Sequence, residues 1–220
     1  VTLPNTLKVI YQGAFADNKI SGTVTIPDSV YQVWAWAFDK NQITGLILPK
    51  KVGDYNLNDD RSFDTFADGR MEAVGVQNYF GWGTFANNKL TNITFPDGVN
   101  GIGKEAFMNN DLVNINFPQS IQYIAPGAFQ NNDLSDLDLS GYPNLQVLDY
   151  YSFKDNNIHS LKFPNSIKEI RVSAFKSNQI NDLQLPNSAA VIGGYVFADN
   201  NLKTVTIPSA ISKISNYEIG

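Results

Sequence analysis

Residues 112–134 read LVNINFPQSIQYIAPGAFQNNDL. Ile115 and Phe117 alternate with Asn114 and Asn116. That period of two marks a strand with one buried face. Pro118 follows and has no N–H to give a ladder, so the strand is expected to stop there. Ile121, Ile124 and the pair Ala128-Phe129 are spaced by three to five residues, which predicts a helical or 3₁₀ turn. Asn132 sits where the chain must bend back, and Leu134 opens the same pattern again.

The unit recurs along the whole chain, and such self-similarity decides architecture before anything else does. Phe stands at 15, 38, 66, 85, 107, 129, 153, 175 and 197, at spacings of 23, 28, 19, 22, 22, 24, 22 and 22. The values 28 and 19 together span about two units, so one unit is expected to be long and the next short. Asn follows each Phe by three positions, with Gly69 replacing it after Phe66. An Asn there is expected to hydrogen-bond the backbone of the bend and of the neighbouring coil. Stacked coils would align these residues as an Asn ladder and the Phe side chains as an aromatic spine. One coil cannot bury its apolar side chains alone, so stability must come from stacking.

Composition agrees and excludes several classes. The 220 residues are 43% hydrophobic but only 17% charged, so neutral polar residues must cover the surface. The net charge of -5 argues against nucleic acid, which needs a basic patch. With no Cys there is neither a disulfide nor a thiolate metal site. No apolar run approaches the roughly 18 residues that would span a bilayer, so membrane insertion is not expected. Val1-Thr2-Leu3-Pro4 already reads as a strand, so the chain looks like a piece of a longer protein that begins inside a repeat.

These residues resemble the BspA-type leucine-rich-repeat family of bacterial surface proteins. The family's form L-x-x-I-x-I-P-x-S-V-x-x-I-x-x-x-A-F-x-x-N appears here as Leu112 to Pro118, Ser120-Ile121, Ile124, Ala128-Phe129 and Asn132. The match runs from Val1 to about Ile214 and departs at residues 50–84 and at Tyr217-Glu218-Ile219. The resemblance implies one solenoid domain over 1–220, right-handed, of about ten coils. A parallel sheet would line its concave face, and short helical or 3₁₀ turns its convex face. It implies a role in adhesion or recognition, an extracellular or wall-associated location, and no catalytic residues.

Two surfaces are candidates for binding. The first is the outward side of the strands, including Asn114, Asn116, Asp136, Asp138 and Lys162; Asp136 and Asp138 form a local acidic point that could meet a cationic partner. The same residues also serve simply to solvate a sheet face. The second is the irregular insert at about 50–84, because loops that interrupt a regular scaffold often carry function. It concentrates Tyr55, Phe63, Tyr79, Phe80 and Trp82, either as a sugar- or peptide-binding patch or as core refilled where the repeat breaks. Asp54-x-Asn56-x-Asn58-Asp59-Asp60 begins like a calcium loop, but Asp59 stands where Gly is needed and Thr65 where Glu is needed, so it reads as a solvated acidic turn. Trp34 and Trp36 read as packing between coils. His159 reads as a surface residue with no metal or nucleophile partners, and Gly101-Ile102-Gly103-Lys104 lacks the spacing of a phosphate loop.

The expected function is a non-catalytic, cofactor-free recognition or adhesion module for a host or matrix protein. A carbohydrate-recognition module that holds a cell-surface glycan through the insert, and a structural spacer, stand beside it. Solenoid ends that expose apolar surface would also allow end-to-end self-association.

Overall fold

The structure, a computed structural model, describes residues 1–50, 79–211 and 214. Each coil contributes two strands. The first ladder has short strands just after the Pro turn: β1 Val9–Ile10, β3 Gln32–Val33, β5 Tyr79–Phe80, β7 Gly101–Ile102, β9 Tyr123–Ile124, β11 Val147–Leu148, β13 Glu169–Ile170 and β15 Val191–Ile192. The second has the strands predicted from the period-two pattern: β2 Ser21–Thr25, β4 Gln42–Ile47, β6 Asn92–Thr94, β8 Asn114–Asn116, β10 Asp136–Asp138, β12 Ser160–Lys162, β14 Asp182–Gln184 and β16 Thr204–Thr206. Every pairing is parallel, as coils stacked in one direction require. The described residues make eight such coils rather than the expected ten.

The continuous sheet is not the one expected. β5, β7, β9, β11, β13 and β15 form a six-stranded sheet, whereas the second-ladder strands divide into the pairs β2–β4, β6–β8, β10–β12 and β14–β16. The segment after each Pro, predicted as a helical turn, thus supplies the longer ladder. No helix occurs among the described residues. Backbone geometry explains this. The residues two before and two after each spine Phe have positive φ, for example Glu105 (56°) and Asn109 (56°) around Phe107, or Tyr151 (59°) and Asp155 (55°) around Phe153. A left-handed residue stops a right-handed helix from propagating. The N–H groups are also bonded between coils: Phe107 N–H donates to Ala128 C=O and Phe129 N–H to Ser152 C=O, both at 2.9 Å.

The core is a column. Phe15, Phe38, Phe85, Phe107, Phe129, Phe153, Phe175 and Phe197 stack with centroids 5.1 to 5.8 Å apart and planes within 15°. Beside it runs the Asn ladder. Asn132 Nδ2 donates to the carbonyls of Phe107, Phe129 and Gln130, and its Oδ1 accepts from Leu112 N–H. The same set recurs at Asn41, Asn88, Asn110, Asn156, Asn178 and Asn200. Each Asn satisfies groups of its own coil and of the one before, which is why the position admits little else.

The column closes directly across the irregular region. Phe38 stacks on Phe85 at 5.4 Å and 8°. Asn88 donates to Phe38 C=O and accepts from Ile43 N–H. Phe38 N–H donates to Thr84 C=O. These two coils are nearest neighbours, so no coil built on Phe66 stands between them, contrary to the reading of one long and one short unit. Phe66, Phe63 and residues 51–78 as a whole lie outside the described residues.

Candidate functional site: the outward strand face and its groove

The three-residue strands of the second ladder expose their first and third side chains and bury the middle one, as in β6, β10, β12 and β14. Of the candidate residues, Asn114, Asn116, Asp136, Asp138 and Lys162 all lie on this exposed face. β8 departs from the rule: Ile115 is only half-buried, while Ile93, Leu137, Leu161 and Leu183 at the matching position are buried. β8 and β10 belong to different pairs, and a groove of about 350 Å³ opens where they meet. Asn114, Asn116, Asp136 and Asp138 line it together with Ile115 and Tyr142, and Asn92 and Thr94 of β6 extend it.

Tyr142 builds the groove. In most coils Pro stands eleven residues after the spine Phe, as Pro118 does after Phe107. After Phe129 that position is Ser140, and Ser140-Gly141-Tyr142 precedes Pro143. Asp138 Oδ1 accepts from Ser140 N–H at 3.0 Å and from Ser140 Oγ at 2.5 Å, a local turn that redirects the chain. Tyr142 then packs edge-on against Phe117, with centroids 5.6 Å apart at 88°. In neighbouring coils the backbone N–H at Phe95 or Leu139 bonds the next coil's carbonyl, that of Asn116 or Lys162. Phe117 N–H instead donates to Tyr142 Oη at 3.3 Å. The phenol hydroxyl stands in for a ladder bond.

Electrostatically the groove is acidic and uneven. The hydrogen bonds from Ser140, then that from Lys162, hold the Asp138 carboxyl down at about 2. Lys162 Nζ lies 2.9 Å from Asp138 Oδ2, and that hydrogen bond raises the Lys162 pKa. Asp136 has a looser partner, His159, at 3.5 Å, so His159 is exposed but not isolated. Asn114 and Asn116 make no side-chain hydrogen bond among the described residues, leaving both amides open to a ligand.

The insert residues fare differently. Tyr55 lies outside the described residues. Tyr79 lies in β5, its backbone paired with Gly101. Trp82 is half-buried. Its ring lies 4.9 Å from that of Trp36, its Nε1–H donates to Glu105 Oε2 at 3.1 Å, and Lys104 Nζ sits 4.1 Å above it. Trp82 is fixed by three neighbouring side chains. Trp34 likewise lies 5.7 Å from Tyr11, so the tryptophans pack coil on coil.

One polar cluster was not anticipated. Asp149 is fully buried, accepts from Tyr123 Oη and Tyr150 N–H, and pairs with Arg171 at 2.7 Å. Arg171 also pairs with Glu169 at 2.8 Å. Only the three-dimensional stacking of β9, β11 and β13 brings these residues together. Among the described residues no three His, Cys, Asp or Glu side chains converge on a metal position, and no helix is long and apolar enough to cross a membrane.

Comparison with known proteins agrees with this geometry. No curated protein matches the chain. Among solved structures, the crystal structure of the pneumococcal vaccine antigen PcpA is similar at 18% identity with a TM-score of 0.59, over 93% of this chain and 57% of that one. A leucine-rich repeat protein from Bacteroides ovatus ATCC 8483 is similar at 18% identity with a TM-score of 0.55, over 91% of this chain and 53% of that one. The chain therefore spans little more than half the length of either, and at this identity the likeness is one of fold. The BspA type leucine rich repeat region matches in 6 copies, over residues 1–67, 78–171 and 102–219. Those matches, with the Asn ladder and parallel coils they align to, make the chain a member of the BspA-type leucine-rich-repeat family.

Proposed function

We propose that the chain is a non-catalytic recognition module of a bacterial surface or secreted protein, and that it binds another protein through its outward strand face. The observation that carries this is the face itself. Exposed polar side chains recur in register along it, over a rigid column of buried Phe and Asn. A rigid scaffold presenting side chains at fixed spacing loses little conformational entropy on binding. The family supports a surface role, and one solved structure of similar fold is that of a pneumococcal vaccine antigen.

The test is binding of the chain to immobilised extracellular-matrix and serum proteins, repeated with Gln184→Arg and Thr206→Arg, which place bulk on the face without touching the core. Binding that falls in these variants supports the reading. Binding unchanged by either variant, or none at all, overturns it. Self-association belongs to the same reading, because β16 leaves Val205 and Ile207 45% and 50% exposed. Val205→Lys is expected to abolish any concentration-dependent oligomer seen in sedimentation.

A further inference from the structure

Within that strand face, we propose that the groove lined by β6, β8 and β10 binds an extended peptide segment bearing a Lys or Arg side chain. This inference rests on the protein-recognition reading and adds the chemistry of the occupant. Three strands line the groove, each presenting side chains two residues apart: Asn92 and Thr94 on β6, Asn114 and Asn116 on β8, Asp136 and Asp138 on β10. Along a strand that separation is about 6.7 Å, the repeat of alternate residues in any extended peptide. A peptide lying parallel to the strands meets all three rows in phase.

The side chains suit a backbone. An Asn amide carries an acceptor and two donors, the complement of a peptide unit's N–H and C=O. Neither Asn114 nor Asn116 uses its amide within the described chain. Half-exposed Ile115 gives the floor an apolar point, and Tyr142 closes one side. The charge then selects the side chain. Lys162 is held on Asp138 at 2.9 Å, which leaves Asp136, 69% exposed and facing His159 at 3.5 Å, as the carboxylate open to a cation. A Lys or Arg reaching Asp136 would make a charge-assisted hydrogen bond.

Later described coils lack this arrangement. At β12 the corresponding outward pair is Ser160 and Lys162, and at β14 it is Asp182 and Gln184, with Asp182 already accepting from Thr204 Oγ1 at 2.9 Å. Among the described coils, the one after Phe129 has two added residues, which set Tyr142 against Phe117.

The experiment uses the full chain and acetylated, amidated nonapeptides alternating Thr with Lys, or Thr with Glu, read by fluorescence anisotropy at low and physiological salt. The Lys peptide is expected to bind and the Glu peptide not. Asn114→Ala with Asn116→Ala is expected to weaken binding about tenfold. Asp136→Asn should remove the preference for Lys over Glu, and Gln12→Ala, at an exposed position away from this face, should change nothing. All are exposed positions, so an unchanged melting curve accompanies each. Lys-peptide binding undiminished by the Asn and Asp136 variants overturns the proposal by reducing it to diffuse charge attraction. A chain that ignores every peptide yet captures folded matrix proteins, and loses them in Gln184→Arg, overturns the groove's occupant and leaves the protein-recognition reading standing. Oligosaccharide binding that is lost in the Asn variants assigns the groove to a polyhydroxylated ligand and likewise overturns the peptide.

Discussion

Single side chains in this protein carry bonds between coils as well as within them. Asn132 satisfies three carbonyls and one N–H, all buried or nearly so. Asn132→Ala leaves these groups without partners and is expected to cost about 3 kcal/mol, since each orphaned buried group costs about 1–3 kcal/mol. Asn18 begins the ladder, is exposed, and bonds only Phe15 and Ala16 carbonyls. Asn18→Ala should cost under about 1 kcal/mol. Urea unfolding of both checks the contrast, and equal costs would contradict the ladder's role. Asp138 offers a second test at this scale. Its folded-state carboxyl titrates at about 2, below the ordinary 3.8. A depressed carboxylate stabilises the fold above its ordinary pKa and loses that contribution as pH falls from about 4 toward 2. Carbon-detected NMR titration should place its midpoint near 2, and Ser140→Ala and Lys162→Met should each raise the midpoint, because both side chains hydrogen-bond the carboxylate.

At the scale of the element, the coil's corners decide its shape. Two left-handed residues flank each described Phe of the column, and three of the eight preceding corners are Gly13, Gly83 and Gly127. Gly83 is constrained twice over. Its φ is +59°, and a Cβ there would lie 2.4 Å from Trp36 Cδ1. Gly83→Ala is therefore expected to cost about 2 kcal/mol or more, from the left-handed backbone and from displacement of the indole. Denaturant unfolding measures the cost. Trp36 fluorescence should shift as the ring leaves its contact with Trp82, and a variant as stable as the parent would mean that the corner tolerates a side chain. The same corners explain why the turn after each Pro is not helical. Residue spacing alone suggested a helical turn, and it could not register that the N–H groups already donate to the next coil.

For the molecule as a whole, the notable fact is that the stack ignores the irregular region. Phe38, Asn41 and Ile43 meet Phe85, Asn88 and Lys89 as any two successive coils meet. Replacing residues 50–78 with the four-residue connection Asp97-Gly98-Val99-Asn100, which joins Pro96 to β7 in the next coil, should leave a folded stack. Calorimetry is expected to show one cooperative transition within a few degrees of the parent. Loss of cooperative unfolding would show that the segment supplies core to the stack. Binding by the shortened chain would also separate the strand face from the insert as the site of recognition.

The sequence determined the repeat, the family, the Phe column, the Asn ladder and which residues of each second-ladder strand face outward. These follow from period and spacing, which stacking preserves from coil to coil. It also made Asn114, Asn116, Asp136, Asp138 and Lys162 neighbours on one face. It did not show that Phe38 and Phe85 touch, because a 47-residue interval fits two units as well as one unit and an excursion. Nor did it show the groove, whose trace in the sequence is only the 24-residue spacing from Phe129 to Phe153. Buried Asp149 and half-buried Arg171 lie 22 residues apart and are joined only by the stacking of their coils. Periodicity carries what every coil has in common. A departure from it acquires meaning only through what it touches on the adjacent coil, and that contact belongs to the tertiary structure.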